Sequence, residues 1–145
     1  GGAMFDPKTQ WTVGSVPQGI SGDLLATLRG FSREDADAFA LESQKRAANA
    51  QEKNLFKGIV PVVDDNGLIM LAKDEHPRAD TTLEKLSSLQ ASFEFFGTQF
   101  GLDGLTKTKY PHLERVNHIH TPGNSSGIAS TGSVGRRSVR YLRPE

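Results

Sequence analysis

The chain has 145 residues, 36% of them apolar, with 17 basic and 17 acidic side chains. That length suits one domain with a real core, and a formal charge of zero gives no pull toward nucleic acid or an anionic membrane. The absence of cysteine removes disulfides, thiolate metal sites and cysteine nucleophiles together, and agrees with a cytoplasmic location.

Residues 1–4, Gly-Gly-Ala-Met, lack the basic and apolar regions of a secretory leader and read as an expression remnant. No run approaches the roughly 18 apolar residues of a membrane span. Phe5 to Pro17 reads as irregular, punctuated by Pro7, Gly14 and Pro17. Ile20, Leu24, Leu25 and Leu28 then recur at helical spacing. Ser21 or Gly22 is the candidate cap, Asp23 suits the first-turn dipole, and Gly30 ends the helix. Ser32 and Asp35 are spaced as a capping box, which predicts a helix from Arg33 to about Gln51 with Ala36, Phe39, Ala40, Ser43 and Ala47 on its packing face.

Ile59 to Val63 reads as an edge or bulged strand, because Pro61 has no N–H to donate. Asp64 to Gly67 is a hairpin turn, with Leu68 to Leu71 returning as the second strand. Thr82 to Leu89 is a short helix. Phe93, Phe95, Phe96 and Phe100 read first as ordinary core, and as a pocket wall second. Gly101 to Lys109 reads as a loop. Arg115 to His120 alternates as a strand, with Val116, His118 and His120 on one face.

Four features are candidates for chemistry. Gly123-Asn-Ser-Ser-Gly127 combines small residues, hydroxyls and free N–H groups, and suits an amide chain or a phosphate; the plain alternative is a solvated turn. Arg78 precedes the Thr81–Thr82 helix start and suits a phosphate or an adenine ring, against the alternative of a solvated loop arginine. His118 and His120, with His112 or His76, could form a zinc site, but no His-Glu-x-x-His helix is present, and packing or surface placement is the preferred reading. Arg136, Arg137, Arg140 and Arg143 form a basic tail that could bind nucleic acid; a disordered or appended end is preferred, so no nucleic-acid partner is expected.

Several collinear blocks resemble the thiolase family: Ser32 to Ala50, Phe56 to Pro61, Asp74 to Leu89, Phe93, and Gly123 to Gly127. The Pro17–Ile20 opening, the phenylalanine-rich insert and Val116 to His120 are most similar to an actinobacterial acetyl-CoA acetyltransferase branch. The resemblance implies an α+β loop domain over residues 5–128, with several helices, a small β-hairpin and edge strands. Residues 129–145 depart from the family's pattern. It also implies acyl-CoA as substrate ligand, no covalently bound cofactor and no metal. Ser126 would bond the pantetheine, Arg78 would contact the nucleotide, and Phe93 would pack near pantetheine or adenine. Gly19, Asn124 and Gly127 would line the site. Gly19 falls in a turn whose usual His-Met is Pro17-Gln18 here.

Both family cysteines and the histidine motif are missing, so this chain is expected to be inactive alone. Its expected partners are the remaining thiolase core domains and, through exposed apolar surface, a second copy of itself; no membrane is expected. The alternative is a non-catalytic protein-interaction domain on the same fold.

Overall fold

A computed structural model describes residues 6–125. Pro7–Val13 (α1) is a helix where irregular chain was expected. Asp6 explains it: its carboxylate accepts from the Thr9 N–H at 2.7 Å and the Thr9 hydroxyl at 2.6 Å, capping the first turn.

Gln18–Arg29 (α2) begins two residues before the expected start and has Pro17 at its cap, without help from Ser21 or Gly22. Gly30, at φ 71°, closes it, with the Phe31 N–H returning to the Ala26 carbonyl at 2.9 Å. The buried stripe is Ile20, Asp23 and Ala26, not the leucines, for Leu25 and Leu28 lie exposed. Asp23, which suits the first-turn dipole, is 0% exposed.

Arg33–Glu52 (α3) carries the expected capping box: Ser32 Oγ accepts from the Asp35 N–H, and the Ser32 N–H donates to the Asp35 carboxylate. Its packing face is rotated by about one residue from the alanine stripe. Asp37 and Ala40 are buried, whereas Phe39 is 79% exposed. Asp37, Gln44 and Gln51, seven apart, each bond another part of the chain. Asp37 accepts from Asn124, Gln44 accepts from the Arg78 N–H, and Gln51 donates to the Asp74 carbonyl. A seam built on polar contacts of this kind is invisible to a hydrophobic periodicity.

Val62–Val63 (β1) and Ile69–Leu71 (β2) form an antiparallel pair with an irregular register. The ladder starts after Pro61. The turn is held by the Asp64 carboxylate, which accepts from the Asn66 and Leu68 N–H groups, and by Gly67 at φ 82°. Both strands are exposed throughout.

Leu83–Ser87 (α4), capped by Thr82, buries Leu86 against α3. Arg33 fixes this contact: Nη2 donates to the Leu86 and Leu89 carbonyls at 2.6 and 3.0 Å, and Nε to Asp37 at 2.8 Å. Glu94–Gln99 (α5) turns Gly97 inward and leaves Phe95, Phe96 and Phe100 exposed, stacked edge and face on one another, so these three are not core. Leu102–Lys109 (α6) is a helix and not the expected loop; Leu105 and Thr106 bury its inner side.

Residues 115–120 form no strand; the only ladder among the described residues is β1–β2. Side chains of α2 take the partner strand's place. Thr27 Oγ1 accepts from the Asn117 N–H, and Asp23 Oδ1 accepts from the N–H groups of Ile119 and His120. Val116 and Ile119 are thereby packed into the same small core as Ile20 and Leu105. No helix among the described residues is long and apolar enough to cross a membrane.

Candidate functional site

The loop 121–125 is the centre of the site, and its shape comes from Asn124. The Asn124 amide donates to Asp37 Oδ1 at 2.8 Å and to the Ile119 carbonyl at 2.9 Å, and its oxygen accepts from the Thr121 N–H at 2.7 Å. Thr121 Oγ1 in turn accepts from the N–H groups of Gly123 and Asn124. The side chain of Asn124 is thus spent on building the loop, which leaves its backbone and Ser125 to line the surface beside it.

Three clefts meet at Ser125. One, of about 340 Å³, lies between Gly19, Gly22, Phe93, His120 and Asn124. The Phe93 ring rests on the Gly19 backbone so closely that a Cβ on Gly19 would sit 2.0 Å from a ring carbon. A second cleft, of about 240 Å³, passes between Ala40, Ser43, His76 and Gly123. A third, of about 370 Å³, runs to Arg78, Asp80, Lys85 and Leu89. Lys85 is paired with Asp80 at 2.6 Å. That bond and the ammonium charge lower the Asp80 carboxyl below its ordinary range. Of the residues singled out in the sequence, Gly19, Phe93 and Asn124 share one cleft and Arg78 lines the third. Ser126 and Gly127 lie outside the described residues, as does the basic tail.

A buried ionic cluster, which sequence reasoning missed, underlies the first cleft. Asp23 Oδ1 contacts His120 Nδ1 at 2.6 Å, and Asp23 Oδ2 contacts His118 Nδ1 at 2.8 Å. His118 Nε2 reaches Asp103 on α6 at 3.0 Å. A carboxylate at each ring nitrogen is satisfied only when both nitrogens carry protons. Burial alone lowers the His118 pKa, and is the largest single influence. The hydrogen bonds and charges of Asp103 and Asp23 together outweigh it and leave the pKa above 6.5. The signal for Asp23 was present in the sequence: it shares the three-residue spacing of Ile20 and Ala26, a charge inside an apolar stripe. Among the described residues no group of His, Asp and Glu is arranged to hold a metal ion. His112 packs instead against Tyr110.

The raised His118 pKa fixes the sign of a pH effect. Its contribution to stability is complete below the unfolded value of about 6.5 and is lost as pH rises through the higher folded value. The urea midpoint of the chain is therefore expected to fall as pH rises above about 6.5, and to fall less in His118→Gln. Equal pH profiles for the two proteins would contradict this assignment.

Against this geometry the comparisons are clear. A profile of the thiolase N-terminal domain matches residues 8–100, more than half of the chain. The protein belongs to the thiolase family. It is 42% identical over 91 residues to peroxisomal 3-ketoacyl-CoA thiolase B of Rattus norvegicus, covering 57% of this chain and 22% of that one. It is 37% identical over 123 residues to the 3-oxoadipyl-CoA/3-oxo-5,6-dehydrosuberyl-CoA thiolase of Escherichia coli, covering 82% and 25%. It is 43% identical over 84 residues to a probable acetyl-CoA acyltransferase of Staphylococcus aureus, covering 55% and 21%. The chain thus spans about a quarter or less of the curated relatives it matches.

Proposed function

We propose that this chain is the coenzyme A-covering segment of a thiolase and that it is not catalytic alone. The observation that carries the reading is the continuity of the three clefts around Ser125. At one end small residues and the Phe93 ring suit a narrow amide chain; at the other, Arg78 suits phosphates. Acyl transfer through a thioester needs a thiolate to carry the acyl group, and this chain has no cysteine to supply one. A second reading, a non-catalytic interaction domain, is favoured by the exposed hairpin, where Val60 is 81%, Met70 68% and Leu68 65% exposed.

Acetyl-CoA added to the isotope-labelled chain is expected to shift the amide signals of Gly19, Phe93, Arg78 and Ser125 with a millimolar midpoint, near −4 kcal/mol, because only part of a site is supplied. Under the second reading those four signals stay in place, and the coenzyme A proposal fails. No condensation of acetyl groups is expected in the same sample.

A further inference from the structure

His120 borders the Gly19–Phe93 cleft, and its contact with Asp23 sets its ring orientation. Asp23 Oδ1 already accepts from two backbone N–H groups, those of Ile119 and His120, so it carries no proton. The 2.6 Å contact to His120 Nδ1 is therefore an N–H donated by the ring. In the neutral ring the lone pair is then on Nε2, which has no hydrogen-bond partner among the described residues. The side chain is 28% exposed. It lies over Gly22, where a Cβ would come 3.2 Å from the ring.

Its surroundings give this nitrogen a use. Gly19, Gly22 and Phe93 have no polar side-chain atom, the amide of Asn124 is fully engaged, and the other polar side chains of the cleft, Gln18 and Ser125, lie exposed at its rim rather than held by a buried partner. His118 cannot substitute, because both of its nitrogens face carboxylates. We propose, on the reading of this cleft as a pantetheine site, that His120 is a specificity-determining residue whose Nε2 accepts a hydrogen bond from an amide N–H of the pantetheine chain. A fixed acceptor favours amide and hydroxyl donors there and disfavours a carboxylate or phosphate, which has only acceptors to offer.

Pantetheine titrated into the ¹⁵N-labelled chain tests this, with the ring nitrogens of His120 followed directly. On saturation the Nε2 signal is expected to move. His120→Asn places an amide nitrogen where Nδ1 meets Asp23 but has no atom at Nε2. It is expected to bind pantetheine about threefold to tenfold more weakly, the effect of one lost hydrogen bond, with an unchanged urea midpoint. Wild-type affinity in His120→Asn would overturn the proposal. So would an unmoved Nε2 while the Gly19 and Phe93 amides shift, a result that leaves the coenzyme A reading standing. If pantetheine moves no signal at all, both readings fail. Should His120→Asn lower the urea midpoint, the wild-type Nε2 shift decides the matter alone.

Discussion

Asp23→Ala is expected to lower the free energy of unfolding by about 3–5 kcal/mol, the usual consequence of removing one partner from a buried ionic contact. The Asp23 carboxylate meets four groups: the N–H groups of Ile119 and His120 and the Nδ1 atoms of both histidines. No water reaches it, for its exposure is 0%. Each donor left unpaired in such a place costs roughly 1–3 kcal/mol. The segment 115–120 has no ladder to fall back on, so only the Thr27–Asn117 bond still ties its backbone to α2 once the carboxylate is gone. A domain typically has only about 5–15 kcal/mol in hand, so the variant should sit close to its unfolding transition at room temperature. Asp23→Asn keeps one acceptor for the backbone but turns an amide toward one ring nitrogen, and should lose about half as much. Urea titrations of the three proteins measure this directly. A loss below about 1 kcal/mol for Asp23→Ala would mean that other contacts hold the segment.

Asn124→Asp is expected to be more damaging than Asn124→Ala, although it changes a single atom. The atom it changes donates to the Asp37 carboxylate at 2.8 Å, and Asp37 is only 3% exposed. An aspartate there sets two acceptors and two negative charges face to face, while alanine merely leaves the bonds unmade. A cost of about 2–3 kcal/mol is expected for alanine from its three lost bonds, with roughly a further 1–2 for aspartate at neutral pH. The difference between the two variants should shrink as pH falls through the carboxyl range, since a proton on either acid restores a donor. Unfolding measured at neutral and acid pH tests both parts; an aspartate variant as stable as the alanine one at neutral pH would show that the loop has another support. The same network runs through Arg33 to the Leu86 and Leu89 carbonyls, so loosening the loop should also loosen α4.

The local elements were legible where the signal is itself local. The Ser32–Asp35 capping box, the Gly30 stop and the Asp64–Gly67 turn each rest on residues within a few positions of one another, and each forms as its chemistry dictates. Two helices were missed for related reasons. α1 depends on one capping aspartate ahead of a proline, and α6 has only Leu102, Leu105 and Thr106 to mark an inner side between glycines. The strand expected at 115–120 failed differently: its alternation was real, but a ladder needs a second strand, and α2 supplied Thr27 and Asp23 in its place.

The site divides along the same line. Residue order alone gave the thiolase family, because a motif is a local pattern and survives in a single chain; it offered Gly19, Phe93, Arg78 and Asn124 as candidates only. Burial of Asp23 and Asp37, the pairing of His118 with Asp103 and the open nitrogen of His120 come from contacts between residues about 15 to 97 positions apart. Such contacts are decided by how helices turn their faces to one another. A polar residue on the inward side is favourable only if its distant partner arrives, and no periodicity in the sequence records that arrival.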